Sequence, residues 1–244
     1  MNGDRVKEII ERAGTAGVPE IVSIKRAQMS GPRLGVFASS FNPPTTAHVE
    51  LIRRASEDFL LDEVLALAGK TNADKTAYEC PLEDRIAMLE LTFVHRPYIS
   101  IGLSSHAFYV DILEALEGRY SDQTDLHFIV GLDTFERVLD FGDQYSDRYH
   151  RAFKGRAAAL SFLFSKSTFI VAGRAGAGLE QLELLINSEK AVPADRVKYL
   201  DFPHDLGDLS ATEVRRRRRA GISIQGLVPT TVERFIEDHS IYLS

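Results

Sequence analysis

Two stretches, far apart in the chain, carry the residues best suited to chemistry on phosphate. The first is SSFNPPTTAH, residues 39–48, which follows the apolar run RLGVFA and precedes an amphipathic one. Pro43 and Pro44 cannot donate to a sheet ladder, so they end the apolar strand. Thr45 or Thr46 can then cap a helix, which puts His48 in its first turn. The first N–H groups of a helix have no intrahelical partner, and the helix dipole favours negative charge beside them. That turn is therefore an anion site, and a histidine in it can donate to a phosphate oxygen. The plainer reading of His48 is a polar surface residue near a cap.

The second stretch is LSATEVRRRRRAG, residues 209–221. Ser210 and Thr212 can cap a helix whose first turn carries Arg215. Hydroxyls, free amides and a guanidinium together make a second anion site. The run Arg215 to Arg219 covers more than one helical turn, so its members cannot all reach one ligand. Arg215 is assigned to the ligand and most of the others to solvent. If the two helix starts converge, they can hold a polyphosphate between them. Weaker candidates are Gly131 and Asp133 in GLDT, where the glycine admits a ligand and the carboxylate can accept from ribose hydroxyls, and Arg174 in the glycine-rich GRAGAG. Each is also an ordinary turn or helix start. No G-x-x-x-x-G-K-[ST] or G-x-G-x-x-G phosphate loop occurs in the chain.

Apolar runs alternate with helical patterns along most of the chain. Expected strands are RLGVFASS, DEVLALAG, YISIGLSS, DLHFIVGL, STFIVAGR and VKYLDFP. Expected helices are TAHVELIRRASEDFLL, PLEDRIAMLELTFVH, FYVDILEALEGRY and LEQLELLINSEK. This alternation implies an α/β fold with a doubly wound parallel sheet covered on both faces. Ligands of such sheets sit beyond the carboxyl ends of the strands, where both phosphate-type stretches fall. Residues 1–30 read as an N-terminal extension, a short helix and then a strand and loop, packed on a domain of residues 31–244. Residues 141–164 are polar and aromatic at first and apolar later, which suggests a lid or substrate loop followed by a helix.

Composition narrows the classes. The chain has 244 residues, 44% hydrophobic and 26% charged, ordinary for a globular protein. No segment approaches the roughly 20 consecutive apolar residues of a membrane helix, so no membrane partner is expected. A net charge of −6 argues against general nucleic-acid binding. Cys80 is the single cysteine, so there is no internal disulfide, and a cytoplasmic protein is expected. A homo-oligomer is compatible with the sequence.

The residues resemble a known family. GVFASSFNPPTTAHVEL is similar to the first motif of the HIGH-type nucleotidylyltransferases, G-x-F-D-P-x-[HT]-x-G-H, and LSATEVRRR resembles their second, I-S-S-T-x-[IV]-R. DKTAYECPLEDRIAMLEL, FYVDILEAL, FIVGLDTF and the ending GISIQGLVPTTVERFIEDHSIYL resemble, in order, segments of the nicotinate and nicotinamide mononucleotide adenylyltransferases. Thr45 replaces the first histidine of the motif, Asn42 its aspartate and Ala47 its glycine. Phe141 stands where the bacterial branch commonly has a tryptophan.

The resemblance implies a Rossmann-like nucleotidylyltransferase fold with C-terminal helices. It implies transfer of the adenylyl group of ATP to a pyridine mononucleotide, in NAD biosynthesis. His48 and Arg215 would be catalytic. Phe37, Ala38, Ser39, Phe41, Thr45, Gly131, Asp133, Arg174, Ser210 and Thr212 would complete the ATP site. Ser39, Lys75, Asp111 and Phe141 would bind the acceptor. Mg²⁺ would arrive on the ATP phosphates without dedicated protein ligands. Acceptor choice would rest on residues 105–111 and 141–155. The alternatives are a nucleotidylyltransferase with another phosphate acceptor, and a non-catalytic nucleotide-binding protein of the same fold.

Overall fold

A computed structural model describes residues 8, 11, 17–70, 79–145, 155–174, 177–207 and 209–243. Seven strands form one sheet: β1 (Ile21–Lys25), β2 (Arg33–Ser39), β3 (Glu63–Gly69), β4 (Ile99–Ser104), β5 (Asp125–Gly131), β6 (Ser167–Arg174) and β7 (Val197–Phe202). Their order is β1-β4-β3-β2-β5-β6-β7. All neighbours are parallel except β1, which pairs antiparallel with β4 at the edge. The helices are α1 (Thr46–Asp58), α2 (Leu82–Thr92), α3 (Tyr109–Leu116), α4 (Leu132–Leu139), α5 (Arg156–Lys166), α6 (Ala177–Ser188), α7 (His204–Gly207), α8 (Ala211–Arg219) and α9 (Thr230–Asp238).

The central strands are largely apolar because both faces are covered. In β3, Val64, Ala66 and Ala68 enter one core layer, and Leu65 and Leu67 enter the other. The first layer packs Ile52 and Ala55 of α1 and Ile86 and Leu89 of α2 under the sheet. The second packs Val110 and Leu113 of α3, Phe135 of α4, and Leu160 and Leu163 of α5. A third cluster joins Cys80, Met88 of α2, Val214 of α8, Val232 and Ile236 of α9, and Tyr242. It docks the C-terminal helices beside the site.

The six strands expected from the sequence are present within a residue or so at each end. The strand expected before residue 31 is β1, and it extends the sheet. Its antiparallel direction is not encoded in its own residues. The polar stretch after residue 141 does lead into a helix, α5. From β2 the chain winds outward through β3 and β4, then returns to the other side of β2 for β5, β6 and β7. The strand order reverses between β2 and β5. The crevice beyond the carboxyl ends of those strands is where a ligand of this topology binds.

Candidate active site

Thr45 caps α1, and His48 completes a capping box. The Thr45 hydroxyl accepts from the His48 backbone N–H at 3.3 Å. The Thr45 backbone N–H donates to Nδ1 of His48 at 2.9 Å, where a glutamate or glutamine usually serves. An Nδ1 that accepts a backbone N–H keeps its lone pair, so the neutral ring carries its proton on Nε2. That Nε2 lies 3.5 Å from the Ser39 hydroxyl. The Phe37 and Phe41 rings stand 5.6 and 5.3 Å from the imidazole. Burial lowers its pKa from 6.5 to about 4, because the charged form would lose its hydration. The site thus presents a neutral donor at Nε2.

The loop between β2 and α1 is fastened from three directions. Arg85 of α2, 1% exposed, donates through Nη1 to the Ser40 carbonyl at 2.7 Å and to the Gly69 carbonyl at 3.2 Å. Arg215 of α8 donates through Nη1 to the Asn42 carbonyl at 2.7 Å. The Tyr242 hydroxyl donates to Asn42 Oδ1 at 2.7 Å. Phe41 adopts φ +44° with its ring fully buried, a backbone form that an L residue keeps only when its surroundings hold it. The Arg215–Asn42 bond ties α8 to the loop that leads into α1. Ser210 is the N-cap of α8, its hydroxyl accepting from the Glu213 N–H at 3.2 Å. Thr212 accepts from Arg215 Nη2 at 3.3 Å, and Glu79 accepts from Arg215 Nε at 3.0 Å.

A cavity of about 280 Å³ opens beyond the ends of β2, β3 and β4, against α3, α4 and α5. Ala38 and Ser39 line it, and so do His106, Phe108, Arg137 and Tyr145. The Phe108 and Tyr145 rings are 5.5 Å apart. Ser39 therefore joins the cavity to the donor nitrogen of His48.

The other expected site residues fall as follows. Gly131 caps α4 with φ −78°, so it is not needed for a left-handed turn. Asp133 is 83% exposed and pairs with Arg137 at 3.3 Å. Asp111 is fully buried in the first turn of α3 and is not among the cavity-lining residues. Phe141 does not line the cavity either. It is 46% exposed, with the Arg156 guanidinium 5.2 Å above its ring, while Phe108 and Tyr145 supply the aromatic wall. Arg174 ends β6 opposite Phe202. Gly173 beside it serves packing: a Cβ there would meet Tyr199 Cε2 at 2.6 Å and the Gly178 backbone at 3.1 Å. Lys75 lies outside the described residues. Arg85, Glu79 and Tyr242 were not singled out as site residues. His106, Phe108 and Tyr145 fall in the two loops expected to shape acceptor choice.

A family model described as cytidylyltransferase-like matches residues 36–217. A Salinibacter ruber protein named "Probable nicotinate-nucleotide adenylyltransferase" is 30% identical over 215 residues, covering 86% of this chain and 97% of that one. The chain belongs to the cytidylyltransferase-like family, in its nicotinate-nucleotide adenylyltransferase branch. A Geobacter sulfurreducens protein of the same name is 28% identical over 230 residues, covering 86% of this chain and 98% of that one. The solved structure of Plasmodium falciparum nicotinic acid mononucleotide adenylyltransferase complexed with NaAD shares the fold. Its TM-score is 0.61 at 15% identity, over 87% of this chain and 98% of that one. The nucleotidylyltransferase fold of this branch thus accounts for the sheet order and the converging helix starts. Among the described residues no three His, Cys, Asp or Glu side chains group as a metal site, and no helix is long and apolar enough to cross a membrane.

Proposed function

We propose that the protein transfers the adenylyl group of ATP to the phosphate of a pyridine mononucleotide, forming the dinucleotide and pyrophosphate. The observation that carries this reading is the position of His48 Nε2, at Ser39, where two helix starts and the aromatic cavity meet.

An acceptor phosphate oxygen attacks the α-phosphorus in line. The bond from that phosphorus to the bridging oxygen breaks, and pyrophosphate leaves with the electron pair. No covalent enzyme intermediate is needed, so the protein acts by position and charge. His48 donates from Nε2 to a non-bridging α-phosphate oxygen, where charge grows in the transition state. Its low pKa keeps that proton on Nε2 and Nδ1 bound to Thr45 throughout the neutral range. Thr45, at the α1 cap, holds the adjacent phosphate. Ser210, Thr212 and Arg215 receive the β- and γ-phosphates, and Lys75 adds positive charge. Asp133 takes the ATP ribose, Arg174 lies by the adenosine, and Ser39 with the Phe108 and Tyr145 rings receives the acceptor. A donor set of amides, hydroxyls and guanidiniums, with no carboxylate cluster among the described residues, fits a magnesium ion carried on the phosphates, where it would screen their charge. The single cysteine supports action in the cytoplasm.

Pyrophosphate release from ATP and Mg²⁺ tests the proposal, with nicotinate mononucleotide and nicotinamide mononucleotide supplied separately. Turnover with one or both is expected, and their ratio assigns acid or amide preference. Silence with both, while ATP binds, refutes the acceptor and turns the search to other phosphate monoesters.

A further inference from the structure

The arginine run of α8 is not uniform. Arg216 and Arg217 pair with Glu213 on their own helix. Arg215 and Arg219, one turn apart and so on one face, share a partner from elsewhere. That partner is Glu79, just before α2. Its Oε1 accepts from Arg215 Nε at 3.0 Å, and its Oε2 accepts from Arg219 Nη1. The Arg215 side chain is 7% exposed, whereas Glu79 and Arg219 are 40% and 39% exposed. Burial works against the Glu79 charge, but the two guanidiniums outweigh it and hold the carboxyl below its usual range.

One carboxylate between two guanidiniums meets the same donors a phosphate would meet. Arg215 is also the residue that fixes the Asn42 carbonyl, so its orientation matters whether or not nucleotide is bound. We propose that Glu79 is an internal stand-in for a nucleotide phosphate. ATP displaces it, and Arg215 and Arg219 then both bind the β- and γ-phosphates. Arg219 thereby becomes a phosphate-binding residue, not part of a solvated face. In the nucleotide-free chain, Glu79 keeps two like charges from repelling each other and keeps Arg215 aimed. The exchange also sets a threshold. A polyphosphate carries enough charge to displace the carboxylate, and a nucleoside monophosphate, lacking the β- and γ-groups, does not reach it. This inference rests on the reading of ATP as substrate.

Equilibrium titration of the full chain with ATP, pyrophosphate and AMP, without acceptor, tests it in the wild type, Glu79→Gln and Arg219→Ala. Glu79→Gln is expected to tighten ATP and pyrophosphate about three- to fivefold, the size of one partly exposed ion pair. AMP should stay within about twofold. Arg219→Ala should weaken ATP and pyrophosphate by about fivefold. Unchanged or weaker ATP binding in Glu79→Gln overturns the exchange, whether or not the melting temperature falls with it. An equal gain for AMP overturns it too, because a general change of field would then suffice. Wild-type affinity in Arg219→Ala removes Arg219 from the site. A wild type that binds ATP while both variants match it defeats the exchange alone, and a wild type that binds no ATP defeats the adenylyl-transfer reading as well.

Discussion

Replacing His48 by glutamine removes a group whose protonation is opposed by the fold, and the size of that opposition can be worked out. The ring has a pKa of about 4 when folded, against an ordinary value of 6.5. Between those values the unfolded chain binds the proton and the folded chain does not. Its stability is therefore whole above about pH 6.5 and is lost as the pH falls towards 4. At pH 5.0 the linkage relation gives a loss of about 2 kcal/mol from this residue, and at most about 3 kcal/mol once the pH is below both values. Solvent reaches part of the ring, so these are upper limits. Protonation would also put a hydrogen on Nδ1, against the Thr45 N–H that Nδ1 accepts in the neutral ring. The assay is urea unfolding of wild type and His48→Gln at pH 7.5 and pH 5.0. The wild type should lose more than the variant between the two, by up to about 2 kcal/mol. Parallel losses would refute both the depressed pKa and the tautomer argument built on it.

Three further outcomes are expected. His48→Ala should lower kcat by about a hundredfold or more, the size of a lost oxyanion donor, and wild-type turnover in a single-turnover assay would remove the residue from the chemistry. Arg85→Met should destabilise the chain by about 2–4 kcal/mol in denaturant titration, because the Ser40 and Gly69 carbonyls lose a charged, buried donor. Tyr242→Phe should lower stability by about 1–2 kcal/mol and raise the KM for ATP, since Asn42 Oδ1 is left without its hydroxyl. An unchanged KM would show that the pin on Asn42 does not shape the nucleotide site.

The parallel sheet was legible because strands buried on both faces carry continuous apolar runs, such as VLALA in β3 and FIV in β5 and β6. Thr45 with His48, and Ser210 with Arg215, were legible because helix starts carry local signatures. What holds these starts in place was not. Arg85 sits in a helix pattern where an arginine reads as solvent-facing. Only the packing of α2 beside the β2–α1 loop makes it 1% exposed. Tyr242 meets Asn42 across 200 residues, a distance no periodicity spans. Phe141 follows the left-handed Asp140 that ends α4, at φ +46°, and its ring lies under Arg156, a long-range contact that position after Asp133 does not reveal.

The three pins on the loop at residues 40–42 also fix an order of events. Arg85 follows its target by 45 residues, Arg215 by 173 and Tyr242 by 200. During synthesis the sheet can begin to assemble from its early strands, since domains fold as their segments emerge. The loop at residues 40–42 cannot reach its final form until Arg215 and Tyr242 are free to fold back on it. A nascent chain therefore carries the first motif long before the residues that pin it have been made.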